Sequence, residues 1–313
     1  MDEFHEEKLV TLVVAKNQAN CYSTIQGAID AAQQLPECAI EIIILTGDYP
    51  EKITLYRNNI RLVGVGQVRI HHHLYARRTG SGGEELGTFR TATFFVNAAN
   101  VLLENLTIVN SAGNNTEKIG QAIAFYGEGN NITLQNCVIE GHQDTICLGP
   151  LPDLQKNGTP FITEQINQVY LVQNYQFNHC QISGTVDFIF GGGQAVFNNC
   201  QLVALAREEA GEVDYLTAAS SASGSQGFIF KRCDIKSAQK QRYFLGRPWR
   251  EHAVTIFEHC LFDINLANAG WHDWNKKSNR QTVHYQERQC FYEQTTVQRP
   301  NWVDFIREGL DDE

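Results

Sequence analysis

Short stretches of alternating apolar and polar residues recur along the 313-residue chain, and many end alike: a polar residue, a cysteine, any residue, then a large apolar one. The copies are Asn136-Cys137-Val138-Ile139, His179-Cys180-Gln181-Ile182, Asn199-Cys200-Gln201-Leu202, Arg232-Cys233-Asp234-Ile235 and His259-Cys260-Leu261-Phe262. A sixth, Asn105-Leu106-Thr107-Ile108, has leucine in the cysteine's place. Period-two alternation puts the cysteine and the residue two further on along one face of a strand. A cysteine there acts as a small buried hydrophobe, so the pattern predicts a ladder of inward thiols rather than a redox or metal site.

Successive copies lie 31, 43, 20, 33 and 27 residues apart. A unit of about 20 residues with variable insertions, made of short strands and Gly- and Asn-rich turns, predicts an all-β chain wound as a parallel β-helix. One helix is expected, Ser23 to Gln34, where Ile25, Ala28, Ile29 and Ala32 form an apolar stripe. Open solenoid ends expose unpaired strand edges, so this helix reads as an N-terminal cap over about residues 1–36. A C-terminal tail over about 281–313 contains Asn301 to Leu310, where Trp302, Phe305 and Ile306 sit at helical spacing and would cover or flank the other end. No linker divides the chain, and a single domain over 1–313 is expected.

Acidic residues number 35 against 25 basic, a formal charge of −10. The basic side chains do not cluster as a nucleic-acid footprint requires, so no nucleic-acid partner is expected. The longest apolar runs, Leu9 to Ala15 and Ala39 to Leu45, fall far short of the roughly 20 residues of a membrane-spanning helix, so no membrane partner is expected either. Asp2, Glu3, Glu6 and Glu7 make an acidic start, unlike a secretory leader. Nine cysteines with no CxxC pair and no zinc spacing fit a reduced compartment. The expectation is cytoplasmic residence, the alternative being secretion with a leader already removed. A monomer is expected. His71-His72-His73 stand on consecutive positions, which point to opposite faces of a strand, so at most two converge and a solvated strand or turn is expected there.

Two segments superpose without a gap. Cys137 to Asp144 and Cys180 to Asp187 each place glycine (Gly141, Gly184) four residues, and aspartate seven residues, after the ladder cysteine. Equivalent positions on adjacent coils lie about 4.8 Å apart, which would make Asp144 and Asp187 close neighbours. An intervening coil would double that distance, although Gly149-Pro150-Leu151-Pro152 and Gly158-Thr159-Pro160 favour one coil with a long loop. Two such carboxylates do not both ionise cheaply, which would make one an acid and the other a nucleophile. The alternative is an aspartate ladder satisfied by backbone N–H groups at a turn.

Four blocks in order, Gly120-Gln121-Ala122-Ile123-Ala124-Phe125, Gly141-His142-Gln143-Asp144-Thr145-Ile146, Gly184-Thr185-Val186-Asp187-Phe188-Ile189-Phe190-Gly191 and Leu245-Gly246-Arg247-Pro248-Trp249, resemble the motif blocks of pectin methylesterases. Gly87 to Thr93 resembles the stretch that precedes them, and the likeness runs from about Val13 to Trp274. The resemblance implies a right-handed parallel β-helix that removes methyl groups from the C6 esters of homogalacturonan without metal or organic cofactor. It implies Asp187 as nucleophile, Asp144 as acid and then base, Gln121 and Gln143 as oxyanion donors, and Arg247 as the residue that orients Asp187. Thr88, Trp249, Phe188 and Trp271 would contact the sugar, and Trp274 is a further candidate for the cleft wall. The substrate would be pectin or methylated oligogalacturonides.

Each role has a physical reason. An attacked ester carbonyl develops negative charge on oxygen, which neutral amide donors stabilise without quenching a carboxylate nucleophile. A planar guanidinium favours the charged form of its carboxylate partner, while a carboxylate without one holds a proton for the leaving alcohol. A glycoside hydrolase of the same architecture is the nearest rival, since it too needs two close carboxylates. A calcium-dependent lyase would need more acidic oxygens than these blocks supply, and a non-enzymatic carbohydrate-binding solenoid would not need the polar cluster. The chain departs from the family pattern at His142, where an aromatic residue is more usual, and at Ile146-Cys147, where leucine followed by an aromatic is usual; its loop from Leu148 to Gln168 is longer, which would raise the cleft rim and favour short or chain-end substrates. Net negative charge would also repel de-esterified polygalacturonate, so highly methylated substrates are expected to be preferred.

Overall fold

The computed structural model describes residues 9–80, 82–207 and 213–306. Their strands wind as a parallel β-helix with three faces. One turn of it comprises Val186–Gly191, Gln194–Asn198 and Gln201–Ala204. Each strand pairs in parallel with its equivalent one coil away: Ile189 faces Thr217, Phe197 faces Phe230 and Leu202 faces Ile235. Strands of the larger sheet such as Gln194–Asn198 and Gln201–Ala204 bury one residue in two, which gives the sequence its alternation, whereas Val186–Gly191 on the smaller sheet is buried throughout. Phe177, Phe197, Phe230 and Phe257 stack with centroids 4.5, 4.4 and 4.6 Å apart.

The ladder cysteines point inward, and all nine cysteines of the chain are free thiols. The thiols of Cys137, Cys180 and Cys200 lie 3.4 Å from the carbonyl oxygens of Leu103, Leu134 and Phe177 one coil away. A seventh copy, Gln289-Cys290, continues the ladder, its thiol 3.5 Å from the Phe257 carbonyl. The polar residue before each ladder position has a structural cause. Asn105, Asn136, His179, Asn199, Arg232, His259 and Gln289 all have φ between 50° and 55°, the left-handed region that turns one face into the next. Asparagine tolerates it best among side-chain-bearing residues, which explains its frequency there. Cys137, Cys180, Cys200, Cys233 and Cys260 should therefore resist thiol reagents in the native protein, while the half-buried Cys21 and Cys38 react first. Rapid native-state labelling of the five, read by mass spectrometry, would contradict the inward register.

At the N-terminal end the helix spans Ile25–Gln33, capped by Thr24, whose hydroxyl accepts from the Gly27 N–H at 3.2 Å. The Glu51 carboxylate accepts from the N–H groups of Ile25 and Gln26, both at 3.0 Å, satisfying donors that the first turn leaves open. Val10–Val14, expected within the cap, is instead a strand paired in parallel with Ile40–Tyr49, so the solenoid begins before its helix; residues 1–8 of the expected cap lie outside the described residues. The tail is corrected likewise. His284–Arg288 and Phe291–Tyr292 form a further coil, and Asp304–Ile306 is a strand paired with His284–Arg288 rather than a helix. Backbone groups at the last coil's open edge are satisfied by an added strand, and Phe305 packs edge-on against Tyr292 at 5.9 Å. The rest of that segment, 307–310, lies outside the described residues.

Candidate active site

No strand intervenes between Ile146–Leu148 and Asn174–Asn178, so residues 149–173 are one long loop on a single coil. The two aspartate segments therefore occupy consecutive coils. Ile139 faces Ile182 on one sheet and Ile146 faces Ile189 on the next, which fixes the turn between them in the same register. The Asp144 N–H donates to the Val186 carbonyl at 3.0 Å. Both aspartates adopt left-handed conformations, φ 64° for Asp144 and 50° for Asp187. Strained backbone of this kind persists where neighbours over-determine it, often at functional sites. Gly184 is one such constraint: a β-carbon there would come within 2.3 Å of the Phe188 β-carbon.

Asp187 is buried and gripped from two coils away. Arg247 donates from Nε to Oδ1 at 2.8 Å and from Nη2 to Oδ2 at 2.7 Å. Its guanidinium sits between the rings of Tyr215 and Trp274, 3.9 Å from each centroid. A planar cation held flat between two rings is fixed in orientation and well matched to a carboxylate. Asp144 has no side-chain hydrogen bond or ion pair among the described residues. Burial, then the charge of Asp187, raises its pKa well above the usual carboxylate range, with Arg247 pulling the other way. Burial raises Asp187 as well, but Arg247 opposes it through charge and hydrogen bonds. The environments thus differ in the direction that favours the charge on Asp187, beside Arg247, and the proton on Asp144, which has no such partner.

Gln121 and Gln143 line the same cleft, a cavity of about 490 Å³. Neither side-chain amide bonds to a described residue, and the Gln143 Oε1 is buried without a partner. Thr88 joins the lining from a short 3-10 turn, Thr88–Arg90. Trp249 closes one wall with Phe89, Phe161 and Phe190 around it, at 6.5, 5.9 and 5.7 Å between centroids.

A family model described as Pectinesterase matches residues 11–149 and 162–309. The chain belongs to the pectinesterase family. Among curated relatives, a probable pectinesterase/pectinesterase inhibitor from Arabidopsis thaliana is 30% identical over 318 residues, covering 96% of this chain and 52% of that protein. The chain spans about half the length of the first curated relatives it matches. Among solved structures, a pectin methylesterase from carrot superposes with a TM-score of 0.78 at 24% identity, covering 95% of this chain and 88% of that one. A pectin methylesterase crystallised with a hexasaccharide superposes with a TM-score of 0.74 at 25% identity, covering 95% and 93%.

Two residues expected at the pectinesterase cleft are elsewhere. Phe188 is fully buried in the solenoid core, and Phe190 reaches the cleft instead. The cause is a register irregularity between Val186 and Ile189, where left-handed Asp187 interrupts simple alternation. Trp271 is buried too: its ring stacks on Tyr285 at 4.2 Å and its Nε1 donates to Glu287 at 2.8 Å, closing the C-terminal core. Trp274 is the tryptophan of that segment which faces the cleft. Sequence reasoning missed Tyr215, Phe89 and Phe161. Tyr215 and Phe161 lie outside the matching blocks, and nothing local marks them. Cys147 is fully buried, and burial with the charges of Glu128 and Asp144 pushes its thiol up, leaving it inert. His71 pairs with Asp48 at 3.0 Å, and no group of three potential metal ligands occurs among the described residues.

Proposed function

We propose that this chain hydrolyses the C6 methyl esters of homogalacturonan or methylated oligogalacturonides, releasing methanol. The observation that carries the reading is the asymmetry of the pair, Asp187 clamped by Arg247 and Asp144 without a partner, under two unengaged amides. A relative crystallised with a hexasaccharide supports a sugar-chain substrate.

In the proposed reaction an Asp187 oxygen attacks the ester carbonyl carbon, and the amide N–H groups of Gln121 and Gln143 receive the oxyanion. Asp144 gives its proton to the departing methoxy oxygen, so methanol leaves and an anhydride joins Asp187 to the C6 carbonyl. Asp144, now a carboxylate, takes a proton from water as that water attacks the C6 carbonyl; the anhydride breaks, and both aspartates return to their starting states. Thr88 and Trp249 would contact the sugar ring. Every group in this scheme comes from one chain, so we read the enzyme as acting as a monomer.

Incubation with highly methylated pectin tests the reading: methanol should accumulate with no rise in reducing ends. Reducing ends without methanol would instead support a glycoside hydrolase. Gln121→Ala or Gln143→Ala should lower turnover by roughly 10²–10³, the scale for losing one oxyanion donor. Unchanged turnover in steady-state assays of both variants would remove the amides from the mechanism.

A further inference from the structure

Trp274 and Asn275 are consecutive residues in the left-handed region, with φ 55° and 57°. Residues with side chains stay there only when other contacts hold them. Two side chains do so here. The His272 Nδ1 accepts from the Trp274 N–H at 2.9 Å, and the Asp273 Oδ1 accepts from the Asn275 N–H at 2.9 Å. Each closes a turn on the backbone two residues ahead. Arg280 anchors Asp273 through the other oxygen, Oδ2, from Nε at 2.8 Å and Nη2 at 2.7 Å. The backbone docks this turn beside the clamp on Asp187, since the His272 N–H donates to the carbonyl of Gly246, the residue before Arg247, at 3.1 Å. The His272 ring lies edge-on to Tyr215, with centroids 5.7 Å apart, and tilted against Phe244 at 5.6 Å. One imidazole therefore reaches both rings that flank Arg247: Tyr215 through its edge and Trp274 through its nitrogen.

We propose that His272 is a positioning residue for the esterase reaction, setting the Trp274 ring and, through it, the Arg247 guanidinium against Asp187. The proposal rests on the esterase reading and adds a residue outside the lining of the catalytic cleft. The role needs a free lone pair on Nδ1, so the ring is neutral with its proton on Nε2. Its surroundings agree: burial holds the imidazole below its ordinary range, Asp273 opposes, and Arg247 adds to the fall. Without the acceptor the left-handed turn relaxes, Trp274 shifts on the guanidinium, and the two bonds from Arg247 to Asp187 lose their alignment. Misplacement of a reacting group by about 1 Å costs on the order of 10²-fold in rate.

The test compares the full chain with His272→Asn and His272→Phe on methylated pectin. Asparagine offers Oδ1 where the imidazole has Nδ1 and closes the same turn, while phenylalanine keeps a ring and removes the acceptor. His272→Phe should lower kcat by about ten- to a hundredfold with KM within about threefold, and His272→Asn should stay within about threefold of wild type. The acid limb of kcat/KM separates positioning from general loosening of the fold. Burial raises the Asp187 carboxyl, and Arg247, Lys276 and Arg207 pull it down; Asp144, Tyr215 and Tyr285 are the acidic groups around it. Arg247 stacks on the turn and Lys276 directly follows it, so a loosened turn withdraws support from the Asp187 charge. Asp187 then protonates at higher pH, and the acid limb should move up by about one pH unit in His272→Phe but not in His272→Asn. His272→Ala also lacks the acceptor, should behave as His272→Phe, and serves if that protein does not fold. An unmoved acid limb or a change confined to KM in the folded protein without the acceptor overturns the role, as does a loss in His272→Asn equal to that in His272→Phe. Failure of wild type to release methanol overturns the esterase reading itself, and the role with it.

Discussion

Asp187→Ala should reduce methanol release by at least about 10³-fold, because it removes the atom that forms the bond to the C6 carbonyl. It should also destabilise the fold. The Arg247 guanidinium would remain between Tyr215 and Trp274 with no carboxylate to receive its two donors. Stranding one partner of a buried pair costs roughly 3–5 kcal/mol. Loss of activity in this variant is therefore read beside circular dichroism and a denaturation curve. A double variant, Asp187→Asn with Arg247→Met, removes both charges and should recover much of the stability but none of the activity. Methanol release within about tenfold of wild type from either protein would falsify the nucleophile assignment.

Asp144→Asn should be as inactive as an enzyme without its acid, with turnover lower by about 10²–10⁴, yet more stable than wild type at neutral pH. The second effect follows from the direction of the Asp144 shift. Burial and the charge of Asp187 raise its pKa in the folded state. A carboxyl so raised binds its proton more tightly folded than unfolded, so its contribution is fully present below its ordinary range and is lost as pH rises through the folded value. Asparagine keeps the shape without the ionisation. The gain in urea midpoint should thus be largest at neutral pH and disappear in acid, below the pH at which an unfolded aspartate protonates. An equal gain at both pH values would mean that the substitution acts by packing alone. The same proton explains the expected alkaline limb of the activity profile, where Asp144 ionises and can no longer protonate methanol.

These opposite stability effects, on two aspartates whose sequence settings are nearly interchangeable, mark the boundary between what is local and what is not. The coil was legible because its signals are local: period-two burial, and a residue in the left-handed region before each inward cysteine, most often asparagine. The matching blocks likewise located Asp144, Asp187, Gln121, Gln143 and Arg247, since each sits beside a glycine or turn whose geometry needs a particular residue. Phe188, which the resemblance put against the sugar, lies in the core because alternation breaks at left-handed Asp187 and turns Phe190 to the cleft, and helical spacing near the end of the chain accompanies a strand.

Sequence by itself therefore determined the coil, its ladder and the identity of the polar cluster. Tertiary structure decided which aspartate has a cationic partner, because the clamp on Asp187 comes from a residue 60 positions away and its two flanking rings from two further segments. It also decided where the long loop lies, bringing Lys156 to Lys276 across the wall of the cleft. In a solenoid, neighbours one coil apart are separated by insertions of any length, so register is written in the strands, but contacts between loops exist only once the coils are stacked.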